Sequence, residues 1–128
     1  MTRRAVSTSD APAPAGPYSQ GIVSGGVIAT AGQVGIDPAT GQLAGPDIAT
    51  QTRQAIANVA AVLQAAGSSL ADVIRVTVYL ADLDDFAAMN DVYRELMPAP
   101  QPARTTVAVG LPNGIRVEMD ALAVIASA

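Results

Sequence analysis

Between Asp47 and Gly67 the chain carries a single stripe in which Ile48, Thr52, Ala55, Ile56, Val59, Val62, Leu63 and Ala66 recur at spacings of three and four. That is the period of one face of an α-helix, and Gly67 stands where a left-handed cap closes such a helix. The period then changes. From Asp72 to Ala81 β-branched residues dominate, and Ile74, Val76, Val78 and Leu80 alternate with Val73, Arg75, Thr77 and Tyr79, as in a strand. Asp82-Leu83-Asp84-Asp85 introduces a second helix, whose apolar face is Phe86, Met89, Val92, Tyr93, Leu96 and Met97, and Pro98 stops it. Two helices with a strand between them require a sheet to pack on.

The rest of the chain supplies that sheet. Met1 to Val6 reads as a short edge strand, and Ala11 to Pro17 alternates Ala with Pro in an extended segment closed to helix. Gln20 to Gly32 is a hairpin turning on Gly25-Gly26, and Asp37-Pro38-Ala39-Thr40-Gly41 is a turn or loop. After the loop from Pro98 to Pro102, a strand runs from about Arg104 to Val109. Leu111-Pro112-Asn113-Gly114 turns the chain into a last strand, Ile115 to Ile125. The order β, β, β, α, β, α, β, β defines an α+β fold, with two helices covering one face of a single sheet. Residues 1–128 form one domain without repeat, linker or low-complexity tract.

In the last strand Ile115, Val117, Met119, Ala121 and Ala123 share a side suited to a core under helices. Arg116, Glu118, Asp120, Leu122 and Val124 share the other. The second set mixes charge with aliphatic surface, which suits a subunit interface with a polar site at one end. Only four aromatics are present, Tyr18, Tyr79, Phe86 and Tyr93. A core of slim aliphatic residues favours burying more surface against a second copy.

Composition closes off most chemistries. Cys, His and Lys are all absent and the seven basic residues are Arg. Thiolate chemistry, imidazole bases, Schiff bases on lysine and Walker-type phosphate loops are therefore excluded. What remains is carboxylates, Tyr, hydroxyls, amides, Arg, backbone groups and water. A net charge of -4 speaks against a nucleic-acid partner. No apolar run approaches the ~20 residues that span a bilayer, and Arg3-Arg4 is not followed by a leader's apolar stretch. A cytoplasmic protein is expected.

Several residues are candidates for a site. Arg104 opens a strand behind a rigid Pro-rich entry, with Thr106 on the same side, and its planar guanidinium suits a carboxylate; the alternative is a surface Arg. Glu118 lies mid-strand between Val117 and Met119, either as a proton-handling carboxyl or as one half of an interface ion pair. Asn90 falls on the stripe of the second helix, as a site amide or as a structural bond to backbone. Tyr18 offers a phenol to a pocket or covers the core. The acidic run from Asp82 to Asp85 lacks the glycine and later glutamate of a calcium loop and fits a helix N-terminus.

The motifs also resemble a known family. Gly16-Pro17-Tyr18-Ser19-Gln20, Ala31-Gly32-Gln33 and Asp37-Pro38-Ala39-Thr40-Gly41 are similar to the N-terminal signature of RidA/YjgF proteins, which are also labelled endoribonuclease L-PSP. Gln51-Thr52, Asn58-Val59, Asp85-Phe86, Asn90, Tyr93, Pro102-Ala103-Arg104-Thr105-Thr106 and Val117-Glu118-Met119-Asp120-Ala121 continue the resemblance in order along nearly the whole chain. It implies a chorismate-mutase-like fold assembled as a homotrimer with clefts between subunits. It also implies hydrolysis of 2-imino and enamino acids of the 2-aminoacrylate type to 2-oxo acids and ammonia, a reaction for which no metal or cofactor is expected. In that reading Arg104 binds the substrate carboxylate, Glu118 holds or activates water, and Tyr18, Asn90, Thr106, Ala31 and Gly32 line the cleft. Ala31 stands where many relatives carry Ser, and Thr106 where some carry Cys. Gln101 stands where an aromatic often precedes the Pro, and the loop before Arg104 is short. A non-catalytic binder of small carboxylates, or a hydrolase for another nitrogen compound, are the alternatives. An endoribonuclease is disfavoured by the acidic balance and the scarcity of aromatics to stack bases.

Overall fold

The computed structural model describes residues 2–125. The strands are β1 (Arg3–Val6), β2 (Gly21–Ser24), β3 (Val27–Thr30), β4 (Gln33–Val34), β5 (Ile36–Asp37), β6 (Gln42–Leu43), β7 (Val73–Leu80), β8 (Ala103–Ala108) and β9 (Val117–Val124). The helices are α1 (Ile48–Ala65) and α2 (Phe86–Leu96), with single 3₁₀ turns at Leu70–Asp72 and Leu83–Asp85. The main sheet runs β1-β2-β3-β9-β7-β8, with β4 also pairing with β9, and β5-β6 form a separate two-stranded ribbon. All its pairings are antiparallel except β7 with β8, which are parallel because the chain crosses back through α2.

Alternation decides which face the helices cover. Val117, Met119, Ala121 and Ala123 of β9 and Val76, Val78 and Leu80 of β7 join one core cluster with Ile56, Val59, Val62 and Leu63 of α1 and Met89 and Tyr93 of α2. The opposite face carries Glu118, Asp120 and Leu122 of β9, Thr77 and Tyr79 of β7, and exposed Val107 and Val124. No element among the described residues covers it.

The structure departs from the sequence pattern in two places. Strict alternation would bury Ile74, yet Ile74 is 47% exposed and Val73 is buried. The cause is a bulge: Val73 and Arg75 face the consecutive residues Ala123 and Leu122, so Ile74 is the extra residue and the order of faces reverses there. Around Asp37 the expected turn is present, but it is flanked by two short strands, β5 and β6, that the pattern does not show. Asp37 Oδ1 accepts from the Ala39 N–H, and Gly41 turns the chain at a φ of 74°.

Three buried amides tie the irregular segments to this frame. Gln51 donates to the Gly45 and Gly114 carbonyls and accepts from the Arg116 N–H. Asn58 donates to the carbonyls of Val34 and Ile36. Gln20 donates to the carbonyls of Thr8, Ala11 and Pro12 and accepts from the Thr8 N–H, which fixes the Pro-rich N-terminal loop. Gln51→Ala would leave three partly buried backbone groups without their side-chain partner. It is expected to lower stability by about 3 kcal/mol, read as a drop in the denaturant midpoint.

Candidate functional site

Arg104 enters from the start of β8. Val76 is its partner across the parallel ladder, so its side chain lies on the helix side of the sheet. There its guanidinium carbon sits 4.7 Å from the centre of the Tyr93 ring and 5.7 Å from that of Phe86. Both rings project from α2 toward this edge, and at these distances their faces attract the guanidinium charge and hold it against the helix. No carboxylate among the described residues pairs with Arg104. Beside it opens a cavity of about 430 Å³ walled by Asn90, Tyr93, Arg94, Gln101, Pro102 and Arg104. Desolvation by burial is the main influence on the Tyr93 phenol and raises its pKa, with Arg104 opposing. Its hydroxyl is buried and has no hydrogen-bond partner among the described residues.

Glu118 occupies the other face. It stands opposite Tyr79 on β7 and Val34 on β4. Between β3 and β4 the first strand takes four steps, from Ala29 to Gln33, while β9 takes three, from Leu122 to Met119. The slack falls at Ala31-Gly32. Thr30 Oγ1 fills the interrupted ladder by accepting from the Ala121 N–H at 3.0 Å. The excursion lays Gly32 against the glutamate, such that a Cβ there would lie 2.6 Å from Glu118 Oε2. Tyr79 donates to Asp120 Oδ2 at 2.9 Å. Burial, and then the neighbouring Asp120 charge, raise the pKa of Glu118 above its ordinary value of 4.5.

Two half-sites result. Arg104, Asn90 and the cavity lie on the helix side, with Thr106 two residues further along the same side of β8 but outside the cavity wall. Glu118, Gly32 and Ala31 lie at the uncovered face. Val76 and Tyr79, which stand beside Arg104 and Glu118 respectively, are three residues apart on one regular strand and so point to opposite sides. One copy of the chain therefore does not bring Arg104 and Glu118 together. Asn90 is half-buried rather than buried, and no hydrogen bond of its side chain occurs among the described residues. Tyr18 is 53% exposed at the tip of the N-terminal loop, its hydroxyl accepting from the Ala15 N–H, and it meets neither half-site.

Sequence reasoning missed the aromatic platform beneath Arg104, the cavity-facing Arg94, and the Tyr79–Asp120 pair. Spacing held a signal for the first two: Phe86, Asn90, Tyr93 and Arg94 fall at four-, three- and one-residue steps on one helix flank. The third needed the register of β7 on β9.

Comparison with known proteins gives the family of the chain. The family described as endoribonuclease L-PSP matches residues 8–125. The chain belongs to that family, the YjgF/RidA proteins. A RutC family protein of Pyrococcus abyssi is 49% identical over 96% of this chain and 98% of its own length. The human 2-iminobutanoate/2-iminopropanoate deaminase is 39% identical over 97% and 91%. Among solved structures, Escherichia coli TdcF with bound serine superposes at a TM-score of 0.91, with 38% identity over 96% of this chain and 99% of that one. The E. coli YjgF gene product superposes at 0.90, with 40% identity over 94% and 98%.

Proposed function

We propose that the chain hydrolyses 2-imino and enamino acids of the 2-aminoacrylate type to 2-oxo acids and ammonia, in sites formed between copies of a homotrimer. The observation that carries this reading is Arg104: a guanidinium parked on two rings at a cavity wall, with no acidic partner of its own among the described residues. Such a group is a ready grip for a substrate carboxylate. The deaminase names borne by several relatives point to the same chemistry.

The separation of the half-sites supports the assembly. With Arg104 and Glu118 on opposite faces of one sheet, a second copy packed on the uncovered face supplies the missing half. Exposed Val107 and Val124, and half-buried Leu122, give that face aliphatic surface to bury. The resemblance to the family supports a ring of three.

In the composite site Arg104 fixes the substrate carboxylate, so the adjacent imine carbon is presented in one orientation. An enamine first tautomerises to the imine. Water adds to the carbon of C=N, forming a C–O bond. The nitrogen takes up a proton, the C–N bond breaks, and ammonia leaves as C=O forms. Glu118 of the neighbouring copy moves protons between that water and the departing nitrogen. A carboxyl that holds its proton more tightly than usual is matched to this task.

The test is a coupled assay in which threonine dehydratase releases the enamine while semicarbazide traps it. The protein is expected to lower the trapped fraction in proportion to its concentration. No effect on trapping, together with survival of a bulkier imine, would leave the chain a carboxylate-binding protein. Gly32→Ala probes the second half-site. Because its new methyl group displaces the Glu118 carboxyl, the far end of a flexible side chain, the fold survives. Activity is expected to fall about ten- to a hundredfold, with little change in Tm.

A further inference from the structure

We propose that this cavity selects 2-imino acids bearing a second acidic group at the end of the side chain, and that Arg94 is the residue that recognises it. The inference rests on the hydrolase reading of the same site and names its substrate class. Its basis is the charge of the cavity wall. Six residues form the wall, and two of them, Arg94 and Arg104, are guanidinium groups, while none is a carboxylate. In a chain with eleven acidic and seven basic side chains, a wall that one copy builds with two cations and no acid is contrary to the overall balance, and in the composite site Glu118 of the neighbouring copy serves the reacting carbon rather than pairing with Arg94.

The two groups reach the cavity from different elements. Arg104 is the second residue of β8, and its guanidinium carbon sits over the Tyr93 and Phe86 rings. Arg94 comes from the last turn of α2, four residues after Asn90 and so on the same flank of the helix. A ligand held by both must carry acidic groups at two ends, spanning from strand to helix. Arg94 is free to take part. Its sole ion pair among the described residues is with Asp91 at 3.4 Å, with the two side chains 72% and 79% exposed, and so loose a contact yields to a ligand carboxylate. The wall amides of Asn90 and Gln101 add neutral donors without cancelling the positive charge. The second acid takes no part in the chemistry: water still adds to C=N, ammonia still leaves, and the product is a 2-oxo diacid.

The experiment has a kinetic and a binding arm. Imines generated in situ by an amino-acid oxidase from glutamate and from 2-aminobutanoate are compared as substrates for wild type and Arg94→Ala. In wild type the diacid is expected to be favoured in kcat/KM by about three- to fivefold, the size of one added solvent-exposed charge pair, with the ratio falling toward unity in the variant through KM. In parallel, calorimetry compares 2-oxoglutarate with 2-oxobutanoate, and the tighter binding of the diacid is expected to depend on Arg94. Hydrolysis of the monoacid imine with the same diacid-to-monoacid ratio in both proteins overturns this inference and leaves the hydrolase reading standing. That is also the pattern if both guanidinium groups grip one carboxylate. If neither imine is hydrolysed yet 2-oxoglutarate binds with an Arg94-dependent margin, the hydrolase reading fails and the diacid site stands. Absence of both the preference and the margin overturns the inference.

Discussion

Arg104→Ala is expected to lower kcat/KM for 2-iminobutanoate by about a hundredfold, as loss of a bidentate charge-assisted grip does. The loss should fall on both parameters, because a carboxylate left loose no longer aligns the imine carbon with the attacking water. Arg104→Lys tests the shape of the group rather than its charge. The guanidinium lies over the Tyr93 and Phe86 rings, 4.7 and 5.7 Å from their centres, and an ammonium on a flexible stem neither stacks flat there nor offers two parallel N–H donors. Lysine should therefore recover only a small part of the lost rate. A lysine variant with full activity would show that charge alone suffices. Neither change should unfold the chain, since the Arg104 side chain is only half-buried at the edge of the sheet.

Glu118→Gln is expected to reduce kcat by two to three orders of magnitude, roughly the contribution of one general acid–base group. It should also separate activity from stability. Burial and the Asp120 charge raise the folded-state pKa of Glu118 above 4.5. The stability contributed by the protonated carboxyl is complete below its unfolded pKa and is lost as pH rises through the folded value. Glutamine abolishes that loss, so the variant should gain more in Tm at pH 7 than at pH 4. The charged and titratable side chains sharing this face are Asp120, which accepts from Tyr79, and Arg75, opposite Leu122. Removing the first charge with Asp120→Asn should move the Glu118 limb of the pH–rate profile to lower pH.

Much of the fold was legible because its signals are local. The Asp47 cap, the stripe from Ile48 to Ala66 and the left-handed Gly67 all stand where spacing puts them. In the last strand, alternation separated Val117, Met119, Ala121 and Ala123 from Glu118, Asp120 and Leu122 without error, because that strand is regular throughout β9. Ile74 was misplaced because a bulge inserts one residue and leaves no mark in the pattern of residue types. The site was legible as a set of residues and not as an arrangement. Arg104 and Glu118 stand out by type and position, but their placement on opposite faces follows from the registers that pair Arg104 with Val76 and Glu118 with Tyr79, which neither strand's own sequence shows. The contact of Gly32 with Glu118 likewise depends on four steps of chain matched to three.

The central claim is that Arg104 and Glu118 act together from different copies of the chain, and subunit complementation tests it most directly. Arg104→Ala and Glu118→Gln, each inactive alone, are mixed in equal amounts, unfolded together, refolded and assayed with 2-iminobutanoate. Random assembly places an intact Arg104 against an intact Glu118 in about a quarter of the sites, so about a quarter of wild-type activity should return. Activity no greater than that of the two variants measured separately, from a mixture shown to contain hybrid oligomers, would contradict the account and place both residues in a site made by one chain.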